Sequence, residues 1–409
     1  MEKLSVALIS GLIPKNIFDP YSFVFDEAIR LAKRGLDIHA IRTFAEIESC
    51  CFDIHYHGIN SSFGLSYISF FFKHWSSFPR ASFLLPPWQL LYLSKYAQTV
   101  SNIIHKNNLS IIHAHFAYPE GFVGLLTKRE TGQPLVVTVH GTDILIEPSI
   151  GYGVRLNKKY DSMVRSVLKS ADCIIAASKT TYDEALRIAT DAKKVKLIPN
   201  GVDANRFNIS LNASELRRHL GIGNKFVVFS LRTHEPKYGL EYLIRAAQIV
   251  INQGLNVMFV IGGDGFLRQY HEKLAEELGI RKNVIFTGKI ATEDVPFYYA
   301  LSDLVVVPSI QEAFGLVVSE AMACGKAVIG SNVGGICDQI IDGYNGFLVE
   351  PRNFGKIAEK ILWAISNSEE LKEMGMNGRR TVEQKFNIER RIDAIIEIYK
   401  DLLGKQDYV

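Results

Sequence analysis

Leu304-Val305-Val306-Val307-Pro308-Ser309-Ile310-Gln311-Glu312-Ala313-Phe314-Gly315-Leu316-Val317-Val318-Ser319-Glu320-Ala321-Met322-Ala323-Cys324-Gly325 is the stretch whose reading decides the fold. Its apolar, β-branched start reads as a buried strand, which Pro308 ends. A helix is predicted to begin near Gly315, with Gly325 as its C-terminal cap. Strand, loop and helix in this order form the unit of parallel, doubly wound sheets, whose neighbouring strands need long crossovers.

The same rhythm extends outward. Phe226–Leu231, Val257–Ile261, Val284–Thr287, Ala327–Ile329 and Phe347–Val349 read as strands, and Leu240–Asn252 as a helix. In the first half, Leu4–Ile9, Asp37–Ile41, Ile111–Ala114, Leu135–Val139 and Cys173–Ala176 read as strands. Helices are predicted over Phe23–Arg34, ending at Gly35, over Glu120–Arg129, and after Ser178 as N-cap. Asn387–Leu403 reads as a final amphipathic helix. Two such sheets suit a chain of 409 residues, longer than one hydrophobic core usually supports. The glycine-containing, polar stretch Asn200–Gly223 is the expected boundary.

Composition sets further bounds. With 47% hydrophobic and 22% charged residues the chain is of ordinary globular type. A net charge of +3 does not suit a bulk electrostatic binder of nucleic acid. Five cysteines without a C-x-x-C pair give no disulfide or zinc framework, and reduced, mostly buried thiols are expected. The sequons at Asn60 and Asn108 carry no meaning in a reducing compartment. Leu4–Ile9 is too short for a signal sequence, and no apolar run reaches the ~18 residues of a membrane span. A cytoplasmic protein is expected.

Three elements carry chemistry. Glu312 falls in the loop at the carboxyl edge of its sheet, where open α/β sheets bind ligands. Glu320 falls about one and a half turns into the following helix, whose N-terminus suits a diphosphate. One carboxylate can hold a ribose and the other a sugar; alternatively Glu312 caps the helix and Glu320 is solvated. Arg232 and Lys237 follow the strand Phe226–Leu231, and together an arginine fork and a lysine would neutralise a diphosphate; solvated loop cations are the plainer alternative. His140 heads His140-Gly141-Thr142-Asp143 directly after Leu135–Val139, placed for ligand contact or for capping a turn.

Taken together these elements resemble the large retaining glycosyltransferase family called family four, of GT-B architecture. Glu312 and Glu320 match its E-x7-E signature, and Arg232 and Lys237 its R-x4-K pair. Asn200-Gly201-Val202-Asp203, Gly262-Gly263-Asp264-Gly265, Gly334-Gly335 and the segment after Gly343 match further family turns. The resemblance spans essentially the whole chain and is strongest in its second half. It implies two Rossmann-like domains facing a central cleft: residues 1–205 on the acceptor side, with the terminal helix 387–409 packing back on them, and 206–386 binding the nucleotide sugar. It implies that Arg232 and Lys237 bind the donor diphosphate and Glu320 the ribose. Glu312 would contact the donor sugar with the amides of Phe314, Gly315 and Leu316. The turn at Ile290 would face the base, and His140 would reach the sugar from the first domain.

One departure is the first loop, Gly11–Ser22, which lacks the family's Gly-Gly pair; subgroups resembling exopolysaccharide transferases share this, and His113-Ala114-His115-Phe116-Ala117 has their look. No Asp-x-Asp occurs, so neither metal nor cofactor is expected beyond the nucleotide-diphosphate sugar itself. The expected activity is retaining, metal-independent hexosyl transfer to a carbohydrate or lipid-linked acceptor. A dehydrogenase is the first rival, but Arg268 stands where G-x-G-x-x-G needs its third glycine. A GT-B sugar-nucleotide epimerase explains the paired glutamates less well, and a non-catalytic sugar-nucleotide binder stays open on fold grounds. Phe63–Tyr92 mixes aromatics with Lys73 and Arg80. It reads either as core packed on the first sheet or as a surface for reversible contact with the cytoplasmic membrane face.

Overall fold

In the computed structural model, which describes residues 3–11, 23–43, 49–59 and 65–404, the apolar runs form two sheets. The first contains β1 (Ser5–Ile9), β2 (Asp37–Thr43), β3 (Ser49–Cys51), β4 (Ile54–Ile59), β5 (Ile111–His115), β6 (Leu135–Val139), β7 (Cys173–Ala176) and β8 (Val195–Leu197). Their order is β3-β4-β2-β1-β5-β6-β7-β8, parallel throughout except for the β3–β4 pair. The second contains β9 (Phe226–Leu231), β10 (Val257–Gly262), β11 (Val284–Gly288), β12 (Leu304–Val307), β13 (Val328–Ser331) and β14 (Gly346–Val349), all parallel, in the order β11-β10-β9-β12-β13-β14.

Central strands such as β1, β6 and β10 are buried along their whole length, which is why they read as unbroken apolar runs rather than alternating ones. In the second sheet the strand period of two still sorts side chains onto two faces. Val228, Phe259 and Ile261 pack with the helices Leu240–Ile251 and Phe354–Ser366. Val227, Phe229 and Val260 pack on the other face with Met322 and Tyr299. Capping follows the expected chemistry. The Ser178 hydroxyl accepts from Thr181 N at 3.2 Å while Ser178 N donates to Thr181 Oγ1 at 3.0 Å. The helix Phe23–Lys33 ends in a turn through Gly35, at φ +90°.

The chain divides into two compact units, Met1–Ile198 with Ile392–Val409, and Pro199–Arg391. The crossing at Ile198/Pro199 precedes the expected boundary at 205, and the return comes at Arg391/Ile392 rather than 387. The reason is backbone pairing. Val202 N donates to Phe386 O at 2.8 Å and Ile388 N to Val202 O at 3.2 Å, which ties both connecting stretches to the second unit. The final helix is Ile388–Leu403, and within the first unit Tyr399 is fully buried. β3, β4 and β8 were not expected, because their residues form no apolar run.

The aromatic stretch divides between its two readings. Phe70, Phe71 and Phe78 are buried, whereas Phe72, Trp75, Leu84 and Trp88 are exposed. Cys173 and Cys324 are buried free thiols and Cys337 an exposed one. The side chains of Cys50 and Cys51, Asn60, Phe63, the first loop beyond Gly11 and residues 405–409 lie outside the described residues.

Candidate functional site

In the second unit the strand order reverses between β9 and β12, so the loops leaving these two strands diverge and open a crevice at the carboxyl edge. The loops are stitched together through the Lys237 carbonyl, which accepts from Ile310 N at 2.7 Å and Gln311 N at 3.3 Å. Arg232 Nη1 lies 3.0 Å from Glu312 Oε2, and the Ser309 hydroxyl donates to the same oxygen at 3.2 Å. The Tyr238 ring lies 5.1 Å from the Arg232 guanidinium and 4.6 Å from Lys237 Nζ, so both cations rest against one aromatic ring. The Arg232 side chain is only 5% exposed, and its Nε and Nη2 are buried without a hydrogen-bond partner. A buried guanidinium normally satisfies its whole fork. Arg232 therefore has donors to spare for an anion.

The other loops are moulded to this pair. A Cβ on Gly263 would lie 1.9 Å from the Arg232 carbonyl oxygen, and one on Gly334 would lie 1.7 Å from that of Glu312. Glycine is thus required in both turns for backbone to approach backbone. Gln339, fully buried, donates to the carbonyls of Phe314 at 2.6 Å and Gly335 at 3.1 Å, and accepts from Ser319. The Phe314 ring packs against Phe386, leaving only its backbone for a ligand. Gly315, at φ +86°, caps the helix Leu316–Ala323. Glu320, the fifth residue of that helix, accepts from the Tyr299 hydroxyl at 2.9 Å. Burial raises the Glu320 carboxyl, opposed by this bond and by the charges of Arg206 and Arg232. A cavity of ≈ 400 Å³ brings Arg232, Tyr238, Gly263, Ile290 and Val317 together. Of the expected donor residues, Arg232, Lys237, Glu312, Phe314, Gly315, Leu316 and Glu320 therefore fall in two stitched loops and the helix that follows, with Ile290 sharing a cavity with Arg232.

The first unit reverses its strand order between β1 and β5. His140, after β6, lies nearly coplanar with His115 and shares a hydrogen bond with it, Nε2 to Nδ1, at 3.0 Å. Capping of this turn falls to Asp143 rather than His140. The buried Asp143 carboxylate accepts from the backbone N–H groups of His140 at 3.0 Å, Gly141 at 2.9 Å and Ala117 at 2.7 Å. Sequence reading passed over Glu120, at the start of the helix Glu120–Thr131. It is buried and accepts from Gly11 N at 3.0 Å, and burial pushes its carboxyl up to about 7. It passed over Tyr299 and Gln339 as well. The one available signal was Glu120's position just after a strand; Tyr299 and Gln339 lie in other elements and offered none.

Comparison with known proteins gives the family. The model "Glycosyl transferases group 1" matches residues 212–381, and "Glycosyltransferase Family 4" matches residues 22–206. An uncharacterized glycosyltransferase of Methanocaldococcus jannaschii is 31% identical, over 76% of this chain and 81% of that protein. The N-acetyl-alpha-D-glucosaminyl L-malate synthase of Bacillus anthracis is 28% identical over 91% of each chain. Among solved structures, the sucrose-phosphate synthase of Thermosynechococcus elongatus superposes with a TM-score of 0.82, covering 98% of this chain and 100% of that one at 21% identity. Two Rossmann-like units, glutamates and cations at the second switch point, and these relatives lead to one assignment: the chain is a GT-B glycosyltransferase of group 1, family four.

Proposed function

We propose that this glycosyltransferase moves a hexose from a nucleotide-diphosphate donor with retention of anomeric configuration and without a metal ion. The observation that carries the reading is Arg232, a buried guanidinium with two donors unsatisfied at a sheet switch point. Arg232 and Lys237 would take the diphosphate, and the N-terminal amides of the helix Leu316–Ala323 would add their dipole. Charge developing on the leaving diphosphate is then met by fixed protein groups, the task a metal performs elsewhere. Glu312, already oriented by Arg232 and Ser309, is assigned to the hydroxyls of the transferred sugar, and Glu320 to the ribose. Ile290 offers an apolar surface to the base. His140 is assigned to the transferred sugar by family resemblance. An epimerase or a passive binder leaves the paired glutamates with less to do.

For the acceptor we favour a lipid-linked glycan reached at a membrane surface. No helix among the described residues is long and apolar enough to cross a membrane. The first unit instead exposes Phe72, Trp75, Leu84 and Trp88, with Arg80 exposed in the same stretch of chain. Lys73 is committed to Glu130 at 2.8 Å, and Lys159 reaches the Leu84 carbonyl at 2.7 Å. Such a surface suits reversible interfacial contact. The malate acceptor in the name of the Bacillus relative favours a second reading, a small soluble acid as acceptor.

The test is release of nucleoside diphosphate from candidate donors in the presence of EDTA. Release that requires acceptor, with a product of the donor's own anomeric configuration by NMR, is the expected result. Acceptor-independent release, inversion, or a strict Mg²⁺ or Mn²⁺ requirement overturns it.

A further inference from the structure

Away from the ligand loops, the first sheet assembles a second cluster of chemical groups. β2 and β4 pair in parallel with His39 opposite His55 and Ile41 opposite His57. The strand period of two puts Asp37 on the same face as His39. His39 Nε2 lies 3.6 Å and His55 Nε2 3.5 Å from the same carboxylate oxygen, Asp37 Oδ1. One ligand atom from each of the three lies within 4.8 Å of the others. An ion with bonds of ~2.0–2.1 Å in tetrahedral geometry holds its ligands roughly 3.3 Å apart, so the separations to Asp37 are already close to those of a bound set.

The surroundings suit a metal as well. His39 is buried, and its Nδ1 shares a hydrogen bond with His57 Nε2 at 2.8 Å, the outer contact that fixes ring and tautomer in metal-binding histidines. His39 stacks on His55 at 4.6 Å and lies nearly coplanar with the His57 ring that it bonds, at an interplanar angle of 10°, which holds the ring planes. His55 is 49% exposed, so solvent can supply a fourth ligand. Another cluster, Glu27, His113 and His115, meets the same distance criterion but not the chemistry. Both His113 nitrogens are engaged, Nδ1 with the Tyr399 hydroxyl at 2.6 Å and Nε2 with the Thr138 hydroxyl at 2.7 Å.

We propose that Asp37, His39 and His55 form a binding site for a Zn²⁺-class divalent ion, with His57 orienting His39. Two imidazoles and one carboxylate favour zinc over Mg²⁺ or Ca²⁺, which prefer oxygen ligands in larger number. The site lies toward the amino end of β2, where Asp37 N donates to Leu4 O at 2.8 Å, and not at the carboxyl edge from which the ligand loops emerge. Its role is to clamp β4 onto β2, and the proposal is independent of the transfer reaction.

The experiment uses the full chain, free of affinity tag, stripped with chelator and titrated with ZnCl₂ by calorimetry, with thermal unfolding followed in parallel. One equivalent should bind and raise the unfolding temperature by about a few degrees. His55→Ala, at a half-exposed position, should abolish both effects while its metal-free unfolding temperature stays at that of the wild-type apoprotein. His57→Gln should weaken binding about 10- to 100-fold. No saturable binding by the wild type, or one equivalent bound with unchanged affinity by both His55→Ala and Asp37→Asn, overturns the site. Neither readout depends on glycosyl transfer, so failure here and failure of the proposed activity are separate results.

Discussion

The two sheets reverse strand order in the same way, one between β1 and β5 and the other between β9 and β12, yet they put opposite chemistry at the reversal. The second unit gathers cations there. Arg232 is buried against Glu312 and Tyr238, and Lys237 rests on the same ring. The first unit gathers carboxylates and imidazoles: Glu120, Asp143, and His140 hydrogen-bonded to His115. A shared topology therefore supplies a crevice and nothing more. What the crevice holds is decided by a few residues after each strand. Fixed positive charge suits a phosphate, whereas carboxylates and imidazoles, which between them accept and donate hydrogen bonds, suit hydroxyls.

The comparison breaks most directly at Arg232. Removing one partner of a buried ion pair typically costs about 3–5 kcal/mol, because the other charge is left uncompensated. We expect Arg232→Ala to lower kcat/KM for the donor more than 100-fold. Arg232→Lys should recover little of it, since a point charge cannot replace the fork. Kinetics and donor calorimetry on variants with native circular dichroism decide the matter. An Arg232→Ala enzyme within a few-fold of wild type would show that the cations of the second unit do not serve the donor.

Glu120 sharpens the other side. Its folded pKa of about 7 stands above the ordinary value of 4.5, because burial disfavours the charged form. The folded protein therefore holds this proton more tightly than the unfolded chain. Stability from this group is fully present below pH 4.5 and is lost as pH rises to about 7. The whole change amounts to roughly 3 kcal/mol. Urea unfolding at several pH values should show that decline, and Glu120→Gln should flatten it. A wild-type profile that is flat or rising across this window would mean that the first unit's crevice is as fixed in charge as the second's.

How much of this could be read from residues alone varies with the length scale of the signal. Strands such as Val257–Gly262 are buried on both faces and announce themselves as apolar runs. β4 did not, because His55, Tyr56 and His57 interrupt it and only its ends, Ile54 and Ile59, are buried. Arg232, Lys237 and Glu312 were legible because each sits just after a predicted strand. Their supports were not: Tyr299 and Gln339 come from other helices, and only packing brings them near. The Asp37, His39 and His55 cluster shows the same limit. Cysteine spacing can exclude a cysteine framework, but a site made by register between β2 and β4 leaves no motif in the sequence.

The smallest expected effect concerns a second arginine, whose setting is the opposite of Arg232. Arg80 is exposed, in the same stretch as Trp75 and Trp88, which are 49% and 63% exposed. A solvated cation near an anionic surface contributes about 1 kcal/mol, and salt screens it. Arg80→Ala should therefore weaken co-sedimentation with phosphatidylserine-containing vesicles about fivefold at low salt and change nothing with neutral vesicles. Trp88→Ala acts through apolar contact instead, so its loss should be similar on both vesicle types and largely insensitive to salt. A wild-type protein that stays in the supernatant at low salt removes the membrane reading, and the small soluble acceptor becomes the better one. Equal losses for Arg80→Ala on charged and neutral vesicles would show that this arginine, like Arg232, acts by specific contact, and the contrast between buried and solvated cations would no longer separate the two units.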